Sequence, residues 1–170
     1  MRGAGATAVD WEMFLCDLDP ATEPPRLPVS LRVYAAGRTA QALWTYRRRG
    51  WPTARERLSR LRPGPGSAVC AGLAPATALR LARREIFHCQ LVARVLMPSA
   101  LCLPRSFALA AHLRALGLPA QVTLARARTN AVPLNTFHSW TELYGVVVND
   151  NPDVQLGYSV LQRFPAGGPR

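Results

Sequence analysis

Apolar positions recur at three- and four-residue intervals over much of the chain, then change to short, closely spaced runs toward its end. The first pattern predicts helices and the second predicts strands. Residues 1–28 have neither, and end in Glu23-Pro24-Pro25-Arg26-Leu27-Pro28, so they read as an irregular, acidic lead-in. A helix is predicted from about Val29 to Arg49, stopped by Gly50 and Pro52. A short basic helix follows from Thr53, a good N-cap, to Leu61, and residues 63–72 form a Pro/Gly linker. The helical pattern returns from Pro75 to Leu96, with Leu79, Ile86 and Val92 available for a buried face, and Pro98 ends it. Residues 102–116 form the next helix, closed by Gly117 with Pro119 beyond. Ala120–Ala127, Thr136–Tyr144 and Val146–Asp150 read as three short strands, with a tight turn near Gly145.

Helices followed by an antiparallel meander make an α+β arrangement. Its expected form is N-terminal helices followed by a central helix packed on a small antiparallel sheet. A chain of 170 residues with 49% apolar content has enough material for one core. The division expected is a lead-in over 1–28 and one domain over 29–170, helical over 29–97 and carrying the core over 98–170.

Charge alters this picture most. All 21 basic residues are arginine, and the net charge is +11. Five of the ten acids (Asp10, Glu12, Asp17, Asp19, Glu23) precede residue 24, leaving twenty arginines against five acids in the remainder. Such a body attracts anionic partners with an affinity that fades as salt rises, although a solvated arginine surface looks the same. The run Arg47-Arg48-Arg49-Gly50-Trp51 raises nucleic-acid binding, but it lacks interleaved aromatics or a recognisable motif, so no nucleic acid is expected.

The four cysteines (Cys16, Cys70, Cys89, Cys102) form no Cys-x-x-Cys pair and have no histidine at zinc-site spacing. No metal and no cofactor is expected. The sequence shows no signal-peptide core and no apolar run near the ~18 residues that cross a bilayer. The expectation is a cytoplasmic protein with free thiols and no membrane span.

The chemically informative stretch is Leu101-Cys102-Leu103-Pro104-Arg105-Ser106. Proline is tolerated only in the first turn of a helix, so Pro104 pins the helix start close to Cys102. Unpaired N–H groups and the positive dipole end favour a thiolate there and can stabilise an oxyanion. Cys102, Ser106, Leu109, Leu113 and Leu116 share the face expected to point at the core. His138 on the next-to-last predicted strand supplies a base, and an acid beyond the hairpin would orient it.

Three acids remain after residue 85: Glu142, Asp150 and Asp153. Glu142 shares the face of His138 but lies about 13 Å along the strand, too far for contact. A hairpin centred on Tyr144 sets Asp150 opposite His138. A turn at Gly145-Val146 would bring Asp153 there instead, against which Pro152 suggests the strand has ended. Four further residues stand out. His88-Cys89 is expected to pack, and His112 to lie on a solvated flank. Trp140 shares the strand face of His138, and Gln90 is a candidate oxyanion donor.

Cys102-Leu103-Pro104-Arg105-Ser106 with Ala108-Leu109, Leu116-Gly117-Leu118-Pro119-Ala120, His138-Ser139-Trp140 and Val148-Asn149-Asp150 together resemble the lasso-peptide leader peptidases, the B2 proteins, within the transglutaminase-like cysteine protease superfamily. The resemblance covers about the C-terminal half of the chain. It departs from the usual pattern at Ser139, where that family more often has alanine. It implies a transglutaminase/papain-like core, a triad of Cys102, His138 and Asp150, and bacterial origin. It also implies removal of the leader from a ribosomally made precursor peptide through a thioester. The partners implied are the precursor's leader region, a separate small leader-recognition protein and an ATP-dependent lasso cyclase. Two other classes stay open: acyl transfer to an amine by the same triad, and a basic nucleic-acid-binding module.

Overall fold

The computed structural model describes residues 23–129 and 136–164, so most of the predicted lead-in lies outside the described residues. Helix α1 covers Val29–Ser59 and is interrupted at Gly50, whose φ of 73° and ψ of 178° are not helical. Glycine adopts that conformation without the Cβ penalty other residues incur, and Pro52 restarts the helix where its missing N–H costs nothing. The break falls where the Gly50/Pro52 signal predicts.

The linker after α1 contains a 3-10 turn at Ser67–Cys70 and runs over the end of the central helix, with Gly64 N–H donating to Ala115 O at 2.8 Å. Gly64 is required by space: a Cβ there would clash with the Tyr34 ring.

Helix α2 spans Pro75–Leu96 with proline in its first turn, and α3 spans Cys102–Ala115. Gly117, at φ 94°, ends α3, and Leu118 N–H closes back on Leu113 O at 2.9 Å. From Ser106 to Ala115 every residue of α3 is buried, which is the condition of a helix surrounded by other elements.

The strands are β1 (Gln121–Ala127), β2 (Phe137–Leu143), β3 (Val146–Val147) and β4 (Tyr158–Phe164), with a single-turn helix α4 (Val154–Gly157) before the last. They form one antiparallel sheet in the order β3-β2-β1-β4. Three strands are predicted from the sequence; β4 is an addition. It pairs with β1 through a register shift between Leu124 and Ala125. Together these elements make the α+β class expected.

One sheet face, carrying Val122, Leu143 and Phe164, packs with all three long helices in a single apolar core that includes Leu31, Leu43, Leu81, Phe107 and Leu113. The other face holds a smaller cluster of Ala125, Trp140 and Val147, covered by Val154 and Tyr158.

Candidate active site

Cys102 is the first residue of α3 and is partly exposed, next to the exposed Leu101. No side chain caps this helix, and its first recorded intrahelical bond runs from Arg105 N–H to Leu101 O at 3.3 Å. Pro104 has no N–H, so the donors left at the helix mouth are those of Cys102 and Leu103.

A buried polar hub joins this helix to the sheet one turn further on. Ser106 Oγ donates to Ser139 O at 2.9 Å and accepts from Asn149 Nδ2 at 3.1 Å. Thr141 Oγ1 donates to Ser106 O at 2.9 Å, and Asn149 Oδ1 accepts from Thr141 N–H at 2.6 Å. Ser106 shares the helical face of Cys102, Ser139 follows His138, and Asn149 precedes Asp150. One network therefore sets the relative position of the segments carrying all three predicted site residues.

His138 Nε2 lies 2.6 Å from Asp150 Oδ2, and both side chains are about one-quarter to one-third exposed, at 25% and 32%. An ionised carboxylate can only accept, so the proton between them belongs to Nε2 and the lone pair is left on Nδ1. Asp150 Oδ1 also accepts from Asn151 N–H at 2.8 Å, which holds the carboxylate still. The Tyr158 ring centroid is 5.3 Å from that of His138 and the Trp140 centroid 6.1 Å, so two aromatic rings flank the imidazole. Among the described residues no hydrogen bond joins the Cys102 thiol to His138. Catalytic bonds of this kind are often long before substrate binds.

The hairpin register differs from both drawn from the sequence. Glu142 pairs with Val147 and Leu143 with Val146, a two-residue turn at Tyr144-Gly145. Both turn residues have positive φ, 52° and 81°. The ladder stops at Val147, so Asp150 reaches His138 from a bend and not from a facing strand position. Asp153 makes no contact with His138; its N–H bonds to Asn151 Oδ1 at 3.0 Å. Glu142 is fully buried and accepts from Trp140 Nε1 at 2.8 Å and Arg163 Nε at 2.9 Å, a structural role on the His138 face.

Other expectations are corrected or refined. His112 is 1% exposed, not on a solvated flank. It bonds to Thr39 at 3.1 Å and lies 3.5 Å from Glu85, because α1 and α2 enclose that side of α3. Cys89 is packed, and burial pushes its thiol up to about 12. His88 Nδ1 approaches Glu85 Oε2 to 3.3 Å without hydrogen-bonding geometry. Gln90 lies on the exposed side of α2 and lines a cleft with Arg105 and Asn149.

Sequence reasoning also missed Tyr46. Its phenol is pushed above the ordinary range by burial and, second, by the nearby Cys102 charge, so α1 brings this ring to the helix mouth. It packs on Phe107 with centroids 6.1 Å apart. Nothing in the α1 pattern marks Tyr46 apart from other apolar-face residues.

Among the described residues no group of three or more His, Cys, Asp or Glu side chains is placed to hold a metal ion. Among the described residues no helix is long and apolar enough to cross a membrane. A family model described as the Transglutaminase-like superfamily matches residues 26–163. Neither the curated proteins nor the solved structures give a match.

Proposed function

The chain belongs to the transglutaminase-like superfamily, which takes in cysteine peptidases and acyl transferases, and on that premise we propose that it is a cysteine peptidase removing the leader of a lasso-peptide precursor. The observation that carries the reading is the His138–Asp150 pair at 2.6 Å, held by one polar network to the helix that starts at Cys102.

In this reading His138 Nδ1 takes the proton of Cys102, and the thiolate attacks the carbonyl at the leader–core junction. Asp150 stabilises the imidazolium that forms. The N–H groups of Cys102 and Leu103 receive the oxyanion. His138 then protonates the departing core amine, leaving the leader as a thioester on Cys102. Water, activated by the same imidazole, releases the leader as a carboxylic acid. No metal or nucleotide takes part. A separate small recognition protein would present the leader in the cytoplasm, and an ATP-dependent cyclase would take the freed core.

Acyl transfer diverges only at the last step, when an amine replaces water. Tyr158 and Trp140 beside His138 are compatible with either acceptor. The discriminating experiment supplies a precursor peptide and a small primary amine together, and reads products by mass spectrometry. Two fragments whose masses total the precursor plus one water support the peptidase; an amine adduct on the leader fragment supports transfer. Intact precursor in the presence of the recognition protein rejects both.

A further inference from the structure

Beside the first turn of α3 lies a cleft of about 200 Å³. Cys89, Gln90 and Arg94 of α2 line it together with Arg105 and Leu109 of α3 and with Asn149. Looking down α3, Leu109 lies within about 20° of the bearing of Cys102 and Arg105 about 60° to the same side. The cleft therefore runs along the flank of the helix that begins with the thiol. Asn149, which also lines it, is the hub residue next to Asp150. At this volume it falls below the range that takes cofactors or drug-sized ligands, and fits one side chain.

Its charge is uncompensated among the described residues. Of the six described acids, Glu23 pairs with Arg84, Glu56 with Arg60, Glu85 with Arg32, Glu142 with Arg163 and Asp150 with His138, while Asp153 is not among the residues that line the cleft. Arg94 and Arg105 have no ion pair among the described residues, and Gln90 adds an amide donor between apolar walls. Two guanidinium groups and an amide lining a partly apolar slot match a carboxylate, which guanidinium can bind in bidentate fashion. Asp150, next in sequence to Asn149, has its oxygens engaged by His138 and by Asn151 N–H.

We infer that this cleft is a specificity subsite that receives an acidic side chain, aspartate or glutamate, of the peptide substrate close to the bond cut at Cys102. The purpose of the subsite rests on the peptidase reading, but its existence can be tested without turnover. The probes are two electrophiles, N-bromoacetyl-glutamate α-amide and N-bromoacetyl-glutamine α-amide, which differ only in a side-chain carboxylate against a carboxamide. The thiolate sulfur of Cys102 attacks the methylene carbon, the C–Br bond breaks, bromide leaves and the thiol proton passes to solvent. Peptide mapping by mass spectrometry assigns the modified residue, in a Cys16→Ser background. Cys70 and Cys89 are buried, and Cys89, which lines the cleft, is held protonated at neutral pH, so the mapping separates its product from that of Cys102.

The glutamate probe is expected to alkylate Cys102 about fivefold or more faster at low salt, with the gain in the half-saturating concentration and not in the limiting rate. The ratio should fall toward one in Arg94→Gln/Arg105→Gln and, in the unsubstituted protein, as salt rises. Equal rates for the two probes in the unsubstituted protein would overturn the subsite, as would a preference that survives the double substitution. A clear preference in a protein that cuts no precursor would keep the subsite and reject the peptidase.

Discussion

Asp150 and Asp153 illustrate what a single residue decides. The structure gives His138 to Asp150 and turns Asp153 away. Asp150→Asn should leave the fold intact and reduce kcat about a hundredfold or more, because the imidazole loses its orienting anion. Asp153→Asn should change kcat little; steady-state kinetics on the two variants checks both. Ser139 makes a second case. Its hydroxyl is buried and has no hydrogen-bond partner among the described residues, at the position where the lasso-peptide peptidases more often carry alanine. Ser139→Ala should raise stability in denaturant by about 1 kcal/mol, since removing an unsatisfied buried hydroxyl relieves its desolvation. Cys102, His138 and Asp150 are proposed as catalytic from helix-start chemistry and resemblance, and the structure brings His138 and Asp150 together. Tyr46, Ser106, Asn149 and Tyr158 were not legible as parts of the site, because each acts through a tertiary contact that no local pattern encodes.

Among the elements, α2 and α3 begin and end within a residue of the sequence reading, because proline starts, glycine stops and helical periodicity all agree there. Strand β4 went unread. Tyr158–Phe164 carries alternating residues with strong strand formers, yet it follows a proline-containing bend and a one-turn helix, and most of its side chains are exposed. Periodicity without burial is a weak signal. The hairpin turn was placed near Gly145 but its register missed, since a positive φ at Tyr144 is not something a tyrosine advertises. The link between α3 and the sheet is Ser106, whose hydroxyl serves Ser139 O and Asn149 Nδ2 together. Ser106→Ala should cost about 1–3 kcal/mol in chemical denaturation, because it strands buried partners. It should also lower kcat more than it raises KM, about tenfold or more, because the helix mouth and the His138–Asp150 pair lose their common anchor. A variant with full kcat and reduced stability would make Ser106 structural only.

For the whole molecule, the buried carboxylate of Glu85 ties α1, α2 and α3 together. Arg32 Nε donates to it at 3.2 Å, and His112 Nε2 and His88 Nδ1 lie 3.5 and 3.3 Å away. Burial alone would raise its pKa, but the His112 hydrogen bond and the charges of Arg32, His88 and His112 outweigh it and hold the carboxyl below the ordinary range. A depressed acid stabilises the fold fully above its unfolded value, about pH 4.3, and loses that contribution as pH falls through the lower folded value. Acid unfolding of the parent should therefore be steeper in this window than that of Glu85→Gln, which should be less stable at neutral pH by about 2–4 kcal/mol. Circular dichroism against pH at fixed denaturant reads both. Part of the basic surface is likewise tied into the fold: Arg55 stacks on Phe164 at 5.2 Å and Arg57 bonds to Thr45 at 3.1 Å, whereas Arg47, Arg48 and Arg49 are exposed.

The most direct measurement is a double-mutant cycle on precursor cleavage, comparing Cys102→Ala, His138→Ala and the double variant by single-turnover mass spectrometry. If the thiol and the imidazole act as one nucleophile, each single change removes nearly all cleavage and the double is no slower than the slower single. Cleavage that survives Cys102→Ala above a trace, or losses that multiply in the double variant, would contradict the cysteine-peptidase account.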